Sequence, residues 1–158
     1  MSVMNRSVAK IHQILLKKKK TIAVAESCTG GLVSKLLTDL PKSSKYFLLG
    51  VISYSNSAKT SVLKVSAKII RERGAVSAQV AAEMAESVRR LGKTDFGISI
   101  TGIAGPGGGS KDKPVGTVFC AVADKSKTVI EEFNFSGSRG SIRRQSSQKA
   151  LELLKTLI

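Results

Sequence analysis

Ser27, Tyr54 and Lys59 are the residues of this chain whose types combine into a nucleophile with activating groups: a hydroxyl to attack, and a phenol and an amine to handle its proton. Ser27 stands in the run Glu26-Ser27-Cys28-Thr29-Gly30-Gly31, where an apolar stretch gives way to a helical one. A hydroxyl at such a turn is presented for attack, and Gly30 and Gly31 let backbone N–H groups approach a developing oxyanion, as do Thr29 and the pair Thr101 and Gly102. The run shares the mechanics of a nucleophile elbow without its GxSxG sequence, and helix capping by Ser27 or Thr29 is the simpler use of the same residues. The one histidine, His12, falls in the N-terminal segment, so a Ser-His-Asp triad is not expected. Lysine takes the base's place where burial or neighbouring cations lower its pKa. Lys59 closes the run Tyr54-Ser55-Asn56-Ser57-Ala58-Lys59, so the phenol could relay a proton between amine and serine; composition alone would make it one more solvated lysine. Cys28 is the rival nucleophile, ranked below Ser27 because no histidine accompanies it.

A second chemical feature is the run from Thr101 to Ser110, rich in glycine at Gly102, Gly105, Gly107 and Gly108. Its amides could form an anion nest, although a glycine hairpin loop accounts for the composition equally well. Ser110 occupies the place of the last Walker A glycine, so nucleoside triphosphate chemistry is not supported. Arg143 and Arg144 offer a bidentate phosphate clamp, or a solvated helix face. The two cysteines lack CxxC spacing and a histidine partner, which speaks against a zinc site or a disulfide framework, and neither a metal nor another cofactor is expected.

These residues need elements to hold them. Val8, Ile11, Leu15 and Leu16 recur at helical spacing and predict a helix over 5–18. Residues 21–25 read as a buried strand, followed by a helix carrying Val33, Leu36, Leu37 and Leu40 and stopped by Pro41. A strand over 46–55 comes next, then a helical stretch from about Ser57 and a helix capped by Ser77 with Val80, Met84, Val88 and Leu91 on one face. Strands are expected over 96–103, 117–123 and 129–135, the last two antiparallel, and a final helix over 141–157. The pattern predicts a three-layer α/β/α sandwich on a mixed sheet of about five strands, in one domain over residues 1–158. In such a sheet ligands gather beyond the carboxyl ends of the strands, where all three chemical runs fall.

The chain has 158 residues with 26 Lys and Arg against 11 Asp and Glu, a net charge of +15. That charge favours anionic partners; with 4% aromatic residues and no Trp, base-stacking platforms are scarce, and the Lys17–Lys20 run reads first as a solvated helix end. Residues 47–52 form the longest strongly apolar stretch, far short of the roughly 20 needed to cross a bilayer, and the first 20 residues do not have the order of a signal peptide. A cytoplasmic location without membrane contact is expected.

AESCTGG at 25–31, YSNSAK at 54–59, GAVS at 74–77, TGIAGPGGGSKDKPVGT at 101–117 and IRRQ at 142–145 together resemble the CinA C-terminal-domain family, also called PncC. The likeness runs from Thr21 onward, and its characterised members include nicotinamide mononucleotide amidohydrolases. The resemblance implies deamidation of the nicotinamide carboxamide to nicotinic acid mononucleotide and ammonia, with the family's catalytic roles falling on Ser27, Tyr54 and Lys59. It implies a phosphate facing the glycine loop, Ser110 and Arg143, and a homodimer or larger homo-oligomer. Longer members carry a large N-terminal domain that this sequence lacks, so a stand-alone enzyme is expected. A different class stays open: a basic accessory module binding nucleic acid or a repair partner, its Ser-Tyr-Lys set vestigial.

Overall fold

A computed structural model describes residues 3–158, with side-chain surroundings from residue 6 onward. The elements run α1 (Val3–Lys18), β1 (Ile22–Glu26), α2 (Leu32–Thr38), a 3-10 turn (Ser43–Lys45), β2 (Phe47–Ile52), α3 (Asn56–Ser61), α4 (Ala67–Arg73), α5 (Ala78–Gly92), β3 (Phe96–Gly102), β4 (Thr117–Ala123), β5 (Thr128–Asn134) and α6 (Arg139–Lys155). The five strands form one sheet in the order β2-β1-β3-β4-β5. β1 is parallel to both β2 and β3, whereas β4 is antiparallel to β3 and β5. The result is the mixed α/β/α sandwich that the alternation of helices and strands predicts.

Side-chain alternation along the central strands assigns the two faces. Ile22, Val24, Ile98, Ile100, Val118 and Val122 point into a core closed by α1, α2 and α6. Ala23 and Ala25 point the other way, beneath α4 and α5, and Ala121 and Ala123 extend that face under Ala81 and Ala85. Small residues let α5 approach closely: a Cβ on Gly97 would lie 2.1 Å from the Ala85 carbonyl oxygen, and Ser99 Oγ donates to the Ala81 carbonyl at 2.6 Å. β1, covered on both faces and paired along both edges, is buried throughout, whereas edge strand β2 alternates and leaves Leu48 and Ile52 exposed.

Several boundaries differ from the sequence-based expectation, each for a local reason. β2 ends at Ile52: the Ser53 amide makes a last bond to the Glu26 carbonyl at 2.9 Å, and Ser55 then caps α3 by accepting from the Ala58 amide. α2 stops at Thr38, ahead of Leu40 and Pro41. α5, by contrast, keeps its expected Ser77 cap and ends at Gly92, with Lys93 in the left-handed region as its C-cap. α6 starts at Arg139 because Ser138, in extended conformation, accepts from the Ser141 amide. Among the described residues, no helix is long and apolar enough to cross a membrane.

Candidate active site

The parallel arrangement brings the carboxyl ends of β1, β2 and β3 to one end of the sheet, and the three chemical runs emerge there side by side. Ser27 follows β1 directly, and its amide donates to the Ile100 carbonyl of β3 at 2.9 Å. Glu26, fully buried, receives the Val33 amide at 2.9 Å and the Ser34 amide and hydroxyl at 3.0 and 2.7 Å. It therefore takes up the free N–H groups at the start of α2 and fixes the turn that carries Ser27.

Lys59 reaches this turn from α3. Its side chain is 2% exposed, and Nζ stands 2.9 Å from Ser27 Oγ, 2.8 Å from the Ser53 carbonyl oxygen and 3.5 Å from that of Tyr54. Burial lowers the lysine pKa from its ordinary value because the ammonium loses hydration, with the neighbouring Cys28 opposing in part. The arrangement matches a neutral amine as well as a charged one. After losing a proton, Nζ keeps two N–H groups, one for each carbonyl, and turns its lone pair to the serine.

A pocket of about 250 Å³ opens over this pair, lined by Ser27, Cys28, Tyr54, the turn 102–108 and Arg139. The Cys28 thiol is pushed up to about 11 by burial, against smaller lowering effects from its own amide and from Lys59 and Arg143. It stays protonated at neutral pH, and the Lys59 amine is hydrogen-bonded to the Ser27 hydroxyl, which places Ser27 ahead of Cys28 as the attacking group. Across the pocket, Arg139 donates to the Gly105 carbonyl at 2.8 Å and to the Tyr54 hydroxyl at 2.9 Å.

Four sequence-predicted residues lie differently from expectation. The Tyr54 hydroxyl faces Arg139, and since Nζ touches Ser27 directly, no phenol stands between them. Arg143 does not face the pocket with a free guanidinium: Nε and Nη2 donate to the carbonyls of Cys28 and Thr29 at 3.1 and 2.8 Å, tying α6 to the serine turn. Ser110 is not among the pocket-lining residues; its hydroxyl accepts the Lys113 amide within its own loop. The Thr101 hydroxyl donates to the Ala75 carbonyl, and of the pair Thr101 and Gly102 it is Gly102 that lines the pocket. Of the expected oxyanion donors, the Gly30 amide is engaged with the Ser27 carbonyl at 3.1 Å, while Gly31, at φ +99, occupies the cap position of α2. Gly102, Gly105, Gly107 and Gly108 all line the pocket, and Thr29 is buried beside it with its hydroxyl unpaired among the described residues. His12 lies on α1 against the Tyr46 hydroxyl, apart from this site. Among the described residues there is no cluster suited to hold a metal ion.

Two residues escaped the sequence reading, Glu26 as the anchor of α2 and Arg139 as a pocket wall. Ser138 was the available signal for Arg139, since a serine cap there starts the helix at the next residue.

Fold and site define a mixed α/β sandwich bearing a buried serine–lysine pair at the strand ends. The chain belongs to the CinA C-terminal domain family, whose profile matches residues 4–158. A CinA-like protein of Desulfotalea psychrophila is 49% identical over 145 residues, 92% of this chain and 35% of the relative; one of Syntrophus aciditrophicus is 50% identical over 146, again 92% and 35%. The chain thus spans about a third of the length of the curated relatives it matches. The crystal structure of the competence/damage inducible protein of Agrobacterium tumefaciens superposes with TM-score 0.95 at 34% identity, covering 99% of both chains. That of a competence or damage-inducible protein from Enterobacter asburiae gives 0.94 at 30%, covering 100% of both.

Proposed function

We propose that this chain is an amidohydrolase that deamidates nicotinamide mononucleotide, with Ser27 as nucleophile and Lys59 as its base. The observation that carries the reading is the buried Lys59 Nζ at 2.9 Å from Ser27 Oγ, beneath a pocket of small-molecule size. A serine–lysine pair is an acyl-transfer constellation, and a hydroxyl activated by a neutral amine attacks a carbonyl carbon without imidazole.

In the reaction, Lys59 accepts the Ser27 proton as Oγ bonds to the carboxamide carbon, and the carbonyl π electrons move to oxygen. Collapse of the tetrahedral adduct breaks the C–N bond, and the lysine proton leaves with the nitrogen as ammonia. Water then gives a proton to Lys59 and attacks the Ser27 ester; the C–Oγ bond breaks, the Lys59 proton returns to Oγ, and the acid product leaves as carboxylate with its own proton passing to solvent. The carbonyls of Ser53 and Tyr54 hold the amine in register through both half-reactions. Arg139, the cation that lines the pocket, replaces Arg143 as the partner of the substrate phosphate, and the Tyr54 hydroxyl orients its guanidinium.

Ser27→Ala tests the assignment. Ammonia release from nicotinamide mononucleotide is expected to fall by at least about 10³-fold with the melting temperature kept; near-normal turnover refutes it. A panel of nicotinamide, its riboside and its mononucleotide reads the phosphate subsite: preference for the mononucleotide supports it, and equal rates on all three overturn it.

A further inference from the structure

We propose that the end of the sheet opposite the pocket is a docking surface for double-stranded nucleic acid. The register places it. β1, β2 and β3 all begin at that end, and antiparallel β4 finishes there, with Ala123 beside Gly97 and Thr128 of β5. Every connector feeding it is cationic: Lys17–Lys20 before β1, Lys42 and Lys45 before β2, Arg89, Arg90 and Lys93 before β3, and Lys125 and Lys127 between β4 and β5. Most of these side chains are exposed.

The acidic residues at this end are mostly engaged locally. Asp95 receives the Thr21 amide and hydroxyl and the Lys20 ammonium at 2.9 to 3.0 Å. Asp124 accepts the Ser126 and Lys127 amides of its own turn, Glu86 accepts the Thr128 hydroxyl, and Asp39 pairs with Lys35. Offsetting the carboxyl ends of α1 and α5 requires a cation or two at each helix, not a row across all four connectors.

Spacing and composition select the partner. Across the strand order β2-β1-β3-β4-β5 the row spans four inter-strand steps, about 19 Å at roughly 4.8 Å each. A duplex carries a phosphate about every 1.7 Å of its axis with both strands counted, so a row of this length runs beside about eleven phosphates, of which roughly half face it. Of the aromatic residues nearest it, Tyr46 and Phe96 are buried, and Phe47 is half-buried and packed against the core. That end therefore lacks the stacking platform that grips single-stranded bases and the aromatic anchors that seat proteins in a lipid interface. Recognition rests on phosphate charge and reads no sequence.

The test is fluorescence anisotropy of the intact protein with unrelated 20-base-pair duplexes at 50 to 200 mM salt. About five phosphate contacts give a log–log salt slope near −4.5, an affinity loss of about 500-fold over that range, alike for each duplex. One exposed lysine per connector is replaced in the variant Lys18→Gln, Lys45→Gln, Lys93→Gln, Lys125→Gln. Its slope should flatten by about 3 to 4. An equal charge loss away from the row, Arg6→Gln, Lys10→Gln, Lys68→Gln, Arg71→Gln, should leave the slope unchanged. Melting temperatures of both variants confirm folding. Equal losses in the two variants, no duplex binding at 50 mM salt, or tighter capture by phosphatidylserine vesicles than by duplex each overturn the proposal.

Discussion

Replacing Lys59 with methionine separates the chemistry of the amine from its packing. The side chain keeps its length and stays among the same neighbours, but the contacts to Ser27 Oγ at 2.9 Å and the Ser53 carbonyl at 2.8 Å are lost. Two hydrogen bonds at about 0.5–1.5 kcal/mol each cost about 1–3 kcal/mol. Removing a group whose burial disfavours its charged form offsets part of that, so the net change should stay within about 2 kcal/mol, a melting shift of at most about 8 °C. The rate should respond on another scale: loss of the base lowers kcat/KM for ammonia release by about 10³-fold, equivalent to about 4 kcal/mol. The pH profile supplies an independent readout. Because burial lowers the Lys59 pKa, parent activity should rise with pH and level off with a midpoint below the ordinary lysine value of 10.5. Stability follows the same sign: between the folded and unfolded lysine values the unfolded chain binds more protons, so folding strengthens as pH rises through that window, and Lys59→Met lacks this gain. A Lys59→Met protein with more than a tenth of parent activity, or a parent midpoint at or above 10.5, refutes the reasoning.

Arg143→Met removes two charge-assisted bonds to the serine turn, and its partly buried setting suggests a loss of about 2–4 kcal/mol by chemical denaturation, together with a lower kcat. Gly97→Ala forces a methyl group onto the Ala85 carbonyl, so it should destabilise by about 3 kcal/mol or more in urea melts; a change under 1 kcal/mol would contradict the close approach of α5 to β3. Tyr54→Phe should raise KM for the mononucleotide about 3- to 10-fold with kcat largely kept, since it frees Arg139 without touching Lys59; the loss of one solvent-exposed hydrogen bond, about 0.5–1.5 kcal/mol, sets that scale. A collapse of kcat in that variant would restore the phenol as a relay.

Elements whose signal is local were legible in the sequence. The apolar spacing of α1 and α5, the Ser77 cap and the antiparallel pairing of β4 with β5 needed only neighbours a few residues away. The motif residues around Ser27 and Lys59 were legible through their likeness to a known family, since composition alone left Lys59 a solvated lysine; the parallel sheet then delivers their loops to one end. What stayed hidden depends on tertiary direction. Arg143 sits in the motif that suggested a phosphate clamp, yet its guanidinium turns to two carbonyls more than a hundred residues away. Arg139, outside that motif, takes the pocket wall, because one helical turn separates the two side chains and α6 shows them to different surroundings.

The same long-range tie affects how the protein comes into being. Arg143 clasps the carbonyls of Cys28 and Thr29 across 115 and 114 positions, so the serine turn is held by a helix synthesised more than a hundred residues after it. A nascent polypeptide emerging from the ribosome can pair β1 with β2 long before that clasp exists. The serine turn therefore stays unclasped until α6 has been made, and ribosome-stalled chains truncated ahead of Ser138 should show no release of ammonia from the mononucleotide.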